Sequence, residues 1–369
     1  MFRKLLPLLL VGALATAACS DADDAGDAEE ASPTSTSAGA PEASAATEGA
    51  PAATEPAPDA TQADATQSDD AESSEAAPST GAAIGPDDVI VDLSDLLFDL
   101  AVLDVAVAGQ IYGGEFLEPQ LAAIDGLDPG VVEAIVASPI LTTDGIDLEQ
   151  LATIAPDAVT VTGFFTEFFE VSPELERIAP VLVVEDVGVD WREKSLAVGE
   201  LVGRADDMQA IIDDAEAAIA DLRARVEAEG LAGRTVSFLR LAPGGETFTT
   251  FARPSVVLDV IDAVGLASPD AVDVDQGDSS PFPGYAAQRI ISAELVSEVE
   301  ADVVMVGFVP DGAEPVDAVP GAETFVPALI EGRALDVQYF LWALNSVVGV
   351  QEIVEDLDRA VDLMLAADG

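Results

Sequence analysis

Between residues 205 and 229 the chain reads ADDMQAIIDDAEAAIADLRARVEAE. Its apolar positions, Met208, Ile211, Ile212, Ala215, Ile219, Leu222 and Val226, recur at intervals of three and four. That spacing draws a single apolar stripe along a helix. Asp213, Ala217 and Asp221 fall on the opposite, solvated face. Asp206 and Asp207 open the helix and Arg223 and Arg225 approach its close, matching the sign of the helix dipole, and Gly230 stops it. At 1.5 Å per residue such a rod runs roughly 37 Å, about the diameter of a small domain. It reads as a spine joining two lobes; a long surface helix of one domain fits the same stripe.

On either side, short apolar runs rich in β-branched residues alternate with helical stretches. Before the spine, residues 89–93, 105–108, 158–162 and 181–184 predict strands. Helices are expected over 95–103, with Ser94 as cap, and over 147–154, introduced by Asp144 and Gly145. A short helix starts at Ser172 and Pro173, with proline at its first position. Residues 113–141 read as irregular. A helix over 191–203 leads into the spine. After it, strands are expected over 235–239, 247–251, 302–308 and 334–339, helices over 255–264, 292–299 and 350–366, and a loop over 269–289. The alternation predicts an α/β fold of two lobes, each a mainly parallel sheet flanked by helices, joined by one long helix. Its limits fall at 86–203, 204–230 and 231–369. Ligands of such sheets bind beyond the carboxyl ends of the strands. That rule points at the loops after Leu93, around Tyr112, and carrying Phe164, Phe165, Phe168 and Phe169.

The first residues change the picture. Arg3 and Lys4 precede the apolar run LLPLLLVGALATAA, which has the length of a signal h-region and falls short of a membrane span. It ends at Cys19, the only cysteine in the chain, in ATAAC. This resembles a bacterial lipoprotein signal over residues 1–19, with Thr16 where leucine is usual and the Cys19 thiol as the lipidation point; a plain secretory signal is the other reading. One cysteine leaves no internal disulfide. Residues 20–85 are almost wholly Ala, Ser, Thr, Pro, Gly, Asp and Glu, with neither aromatic nor basic residues. Such a segment cannot offset its ordering entropy and is expected to be a disordered, self-repelling tether or a solubilising tail.

The net charge is −56, from 14 basic and 70 acidic residues, and no Lys or Arg occurs between Lys4 and Arg177. A nucleic-acid surface needs a basic stripe and is excluded. With no histidine in the chain, Ser-His-Asp chemistry is impossible. No Gly-x-Ser-x-Gly elbow, phosphate loop or metal-pair motif occurs. The chain is read as a non-enzyme with no resident cofactor.

Several segments in order resemble the siderophore and vitamin B12 binding proteins of bacterial ABC importers: TTDGIDLEQLATIAPDAVTV, SPELERIAPVLVV, WREKSLAVGELVGRADDMQAIIDDAEAAIADLRARV, ISAELVSEVEADVVMV and VPALIEGRALDV. The resemblance covers nearly all of 86–369 and is weaker over 113–142. It implies two lobes on a rigid helix, capture of a ferric siderophore between them, and delivery to a membrane permease by a monomer lipid-anchored on the outer face of the cytoplasmic membrane. Glu174 in SPELERIAP and Glu294 in ISAELV match the glutamates that pair with permease arginines in the family; each is also readable as a solvated helix-start glutamate.

A ferric siderophore wants aromatic walls and a few converging donors, and Arg suits oxygens best. Arg240, closing a strand, is the first candidate, followed by Arg253 and Arg289; a surface ion pair is the plain reading of each. Arg192, before the spine, is more ambiguous. Tyr112, Phe164, Phe168, Tyr285, Tyr339 and Trp342 are the candidate walls, with core packing the alternative for the Phe cluster and for Trp342. The lack of Lys or Arg in the first lobe before Arg177 favours a neutral or cationic hydroxamate complex. Haem, for which tyrosine is the only strong axial ligand, cobalamin, or a surface interaction protein without transported ligand remain as alternatives. A direct metal-ion receptor would have mainly oxygen ligands.

Overall fold

The computed structural model describes residues 84–142, 145–168, 173–186, 188–242, 245–272, 287–310 and 312–368, all within the compact unit Gly81–Gly369. Eight strands and eleven α-helices occur among them. The first lobe holds β1 (Ile90–Asp92), β2 (Ala158–Thr162) and β3 (Val181–Val184), in the order β1-β2-β3 and all parallel. Its helices are α1 (Leu96–Ala101), α2 (Gly114–Ala123), α3 (Pro129–Ala137), α4 (Leu148–Ile154), α5 (Gly163–Phe168) and α6 (Pro173–Glu176). Then α7 (Trp191–Leu201) leads into α8 (Ala205–Ala228), the expected spine. The second lobe holds β4 (Val236–Leu241), β5 (Thr247–Phe251), β6 (Gln288–Ser292), β7 (Val303–Gly307) and β8 (Ala334–Val337), with α9 (Val256–Ala263), α10 (Tyr339–Ala343) and α11 (Val347–Asp368). Its order is β6-β5-β4-β7-β8. Strands β4, β7 and β8 run parallel, and β5 and β6 add an antiparallel edge.

Four sequence readings need correction. Residues 105–108 form no strand: Ala108 N–H reaches the Ile90 carbonyl and Asp92 N–H reaches Gly109, two bonds a register apart that start no ladder. Residues 113–141 are not irregular but carry α2 and α3; Asp128 caps α3 by accepting from the Gly130 and Val131 N–H groups, with Pro129 at its first turn. Residues 163–168, read as a loop, are helix α5. Residues 288–292, read as the end of a loop at 289 and the start of a helix at 292, are strand β6. In addition, Ser94 shares the start of α1 with Asp92: the Ser94 hydroxyl accepts from the Leu96 N–H at 3.4 Å, and Asp92 Oδ2 accepts from the Ser94 and Leu97 N–H groups at 3.2 Å each.

Met208, Ile212, Ala215, Leu222 and Val226 of α8 are buried. They belong to a hydrophobic cluster that includes Leu97 and Phe98 of α1, Phe238 of β4 and Ile353, Leu357 and Val361 of α11. The rod therefore does not bridge the lobes alone. Helix α11 returns along it, and Arg225 pairs with Asp358 and Asp362 to fasten the two. Each sheet also keeps a cluster of its own, around Val91, Val159 and Val161 in the first lobe and Leu239, Val304 and Val306 in the second. A groove of about 480 Å³ between α8 and α11 is lined by Asp214, Asp221, Leu222 and Glu355 among others. It contains none of the candidate ligand residues. No described helix is long and apolar enough to cross a membrane.

Candidate ligand-binding site

The carboxyl ends of β4, β7 and β8 bring three residues together. Arg240 is the fifth residue of β4, Phe308 follows β7 and Tyr339 opens α10 just after β8. The Arg240 guanidinium carbon lies 4.3 Å from the Tyr339 ring centre and 5.6 Å from that of Phe308. The two rings are 4.9 Å apart. Such stacking is worth about 0.5–2 kcal/mol, more as water is excluded. Gly307 is required here: a Cβ on it would lie 2.8 Å from Phe238 and 2.9 Å from the Tyr339 Cβ. Phe308 itself sits at φ 61°, a left-handed conformation rare outside glycine, and its ring is 55% exposed.

Arg240 is only 4% exposed and has no carboxylate partner among the described residues. In a chain with this excess of acid, that is unusual. Its Nη2 donates to Gln288 Oε1 at 3.1 Å, and its Nε is enclosed without a partner. Burial pushes its pKa down, partly opposed by Tyr339. The result is a cation desolvated before any ligand arrives, with donors unspent.

The first lobe reaches this corner through aromatic contacts. Tyr112 and Phe116 pack on Phe340, the neighbour of Tyr339, at 5.2 and 5.0 Å between ring centres. Phe98 of α1 joins from below at 5.5 Å.

The other sequence candidates go elsewhere. Arg253 pairs with Asp259 at 2.8 Å and with Asp262, both on α9. Arg289 pairs with Glu298 at 2.9 Å and donates to the Ala271 carbonyl. Arg192 pairs with Asp190 and Glu216. These are ion pairs of the kind the plain reading expects. Trp342 is a core residue: it is fully buried, with its indole N–H on Asp356 Oδ2 at 2.7 Å. Phe164 is half-buried, packs edge-on against Phe165 and leans on the first-lobe core. Tyr285, Cys19 and the Phe168 side chain lie outside the described residues. Glu174 is exposed, 3.2 Å from Arg177. Glu294 is exposed, and a hydrogen bond from Ser292 holds its carboxyl below the usual value. The sequence reading passed over Gln288, Phe308, Phe116 and Phe340. Phe308 had a usable signal, as the aromatic last residue of the run 302–308 that reads as a buried strand.

A second polar group lies inside the first lobe. Lys194 of α7 donates to Asp95 at 3.2 Å, and Ser195 donates to Asp99 at 3.0 Å while accepting from the Val347 N–H of α11 at 2.9 Å. Asp92 accepts from Thr160 at 2.7 Å and from the Ser94 hydroxyl at 3.0 Å. Burial pushes Asp92 and Asp99 up to about 7 each, opposed by the Thr160 hydroxyl and by Lys194 respectively. These groups tie α1, α7 and α11 together. Among the described residues no set of three or more carboxylates is placed to hold a metal ion.

Two sheets, one all parallel and one mixed, with a long helix between them in the chain, make an α/β architecture of two lobes. A family model described as periplasmic binding protein matches residues 100–333. The chain belongs to that family, whose members are extracytoplasmic substrate-binding proteins of ABC importers. No curated protein sequence matches it. Among solved structures it is similar to the siderophore periplasmic binding protein of the fuscachelin gene cluster of Thermobifida fusca, at 16% identity and TM-score 0.57 over 74% of this chain and 96% of that one. It is similar to the Fe3+–Desferal-bound siderophore binding protein FhuD of Vibrio cholerae, at 18% identity and TM-score 0.57 over 75% and 98%. It is also similar to Staphylococcus aureus SirA complexed with staphyloferrin B, at 13% identity and TM-score 0.55 over 74% and 93%. At these identities the likeness is one of fold.

Proposed function

We propose that this chain captures a ferric siderophore between its lobes and delivers it to an ABC permease in the cytoplasmic membrane. The observation that carries the reading is Arg240: a buried cation with no carboxylate partner among the described residues, stacked on Tyr339 and Phe308 at strand carboxyl ends, where Phe340, the neighbour of Tyr339, packs on Tyr112 of the first lobe. Desolvation of the cation is already complete, so an oxygen-rich ligand gains its full interaction. The single cation suits a neutral or cationic hydroxamate complex better than a highly anionic one.

On this reading residues 1–19 are a lipoprotein signal, Cys19 carries the acyl anchor, and residues 20–85 tether the binding unit, a monomer, to the outer face of the membrane. The two lobes, 86–203 and 231–369, are held by the spine at 204–230. Glu174 and Glu294, both exposed, are the proposed contacts for permease arginines. The test is titration of tryptophan fluorescence of the full chain with ferric hydroxamates, catecholates and hydroxycarboxylates, haem and cobalamin. Trp342 stacks with Phe251, which stacks with Tyr339, so a coloured ferric complex at Arg240 should quench it. A ferric complex should bind, and Arg240→Ala should weaken it about tenfold or more. A response to haem or cobalamin alone redirects the ligand assignment, and no response to any of them favours a surface interaction protein.

A further inference from the structure

The amide of Gln288 stands between the two polar groups of the cleft. Arg240 has only N–H groups to offer, so the atom of Gln288 that faces its Nη2 at 3.1 Å is the carbonyl oxygen. That choice settles the other end. The Nε2 group faces the Tyr339 hydroxyl at 2.5 Å, and the amide donates. The phenol oxygen therefore accepts within the protein and its proton is turned away from Gln288. Among the described residues no acceptor takes that proton, and none takes the Arg240 Nε–H. Gln288 is 5% exposed and pinned in β6 opposite Phe251 of β5, so its amide cannot rotate into water instead.

We propose that Gln288 is a positioning residue that makes this corner of the cleft a surface of donors only, and that the site thereby prefers the metal-loaded form of an oxygen chelator over the metal-free form. This rests on the siderophore reading. In a free hydroxamic acid the N–OH oxygen, and in a free catechol both oxygens, carry a proton that needs an acceptor. Binding of Fe(III) displaces those protons into solvent, and the coordinated oxygens then present lone pairs only. A donor set facing acceptor oxygens is satisfied. The same set offers no acceptor to those O–H protons, so each ligand O–H buried against it loses its partner, a cost on the scale of about tenfold or more in affinity per bond.

Gln288→Glu reverses the arrangement: the carboxylate accepts from Arg240 and from the Tyr339 hydroxyl, so the phenol turns its proton inward and a lone pair outward. Gln288→Met keeps the volume and frees the phenol without reversing it. The full chain and both variants are titrated calorimetrically with ferrioxamine B, a ferric tris-catecholate and a ferric hydroxycarboxylate, each with and without iron. The wild type should bind at least one ferric complex, with about a tenfold or greater preference over its metal-free form. Gln288→Glu should lose about tenfold or more on the ferric form and bring the preference towards parity, with Gln288→Met between the two. If Gln288→Glu weakens both forms equally and leaves the preference intact, Gln288 only packs and the inference fails while the siderophore reading stands. If the wild type binds no ferric complex, both fall. Should Gln288→Glu not fold, Tyr339→Phe serves: it removes one donor without changing charge. It should weaken the ferric form alone, and an unchanged ferric affinity overturns the proposal.

Discussion

Lys194 keeps a charge with 1% of its surface exposed, and it does so only because Asp95, Asp99 and Asp186 face it. Burial opposes its charge, and the three carboxylates together outweigh that and raise its pKa. An ion pair of this kind adds little over an apolar replacement of both partners, but losing one partner strands the other. Lys194→Met should therefore cost about 3–5 kcal/mol in urea unfolding; a loss below about 1 kcal/mol would mean that water reaches Asp95. At this scale the sequence told part of the story. Arg240 was legible through scarcity, as a cation at a strand end in an acidic chain. Gln288 was not, because its importance comes from Arg240 and Tyr339, which are 48 and 51 residues away along the chain. Trp342 was read as a possible cleft residue because no pattern reveals that Asp356, on the next helix, takes its N–H.

The spine was the most legible element, since a stripe of seven apolar positions has few other solutions. Its junction with α7 depends on Gly199. A Cβ there would lie 2.6 Å from the Met208 Cβ and 3.2 Å from the Arg204 carbonyl oxygen. Gly199→Ala should thus force the two helices apart and cost about 1–3 kcal/mol in denaturant unfolding; a neutral effect would show that this junction yields. The elements that escaped were short or interrupted. Helix α2 carries Pro119 and opens on two glycines, Gly113 and Gly114, so its periodicity is weak, although Asp128 and Pro129 did announce α3. Strand β6 is an edge strand whose Ile290 is exposed, and its pattern made no buried run. Residues 105–108 have strand composition, but with β2 on one side of β1 they pair too briefly on the other to extend the sheet.

For the whole molecule, the carboxyls at Asp92, Asp99, Asp356 and Glu352 are pushed up by burial to about 7, 7, 6 and 8. Each binds its proton more tightly folded than unfolded. The folded chain therefore holds more protons than the unfolded one between about pH 4 and these values, and stability falls as pH rises through that window. Neutralising part of a net charge of −56 acts in the same direction. The melting temperature should rise as pH is lowered from 8 to 5, and Asp99→Asn, which keeps the Ser195 bond and removes one titration, should flatten that slope. A melting temperature that falls on acidification would contradict the burial of these groups.

The last helix also has a consequence for how the chain is made. Its apolar face completes the packing of α1 and α7, and Val347 supplies the N–H that Ser195 accepts. Contacts so distant along the chain delay folding. The packing of α1 and α7 is therefore expected to finish only once α11 has come back to them, rather than in the usual order, in which an N-terminal portion settles during synthesis. A chain cut before Val347 should lose hydrogen-exchange protection in β1 to β3 as fully as in β4. Protection surviving in the first sheet would show that it matures without waiting for the C-terminus.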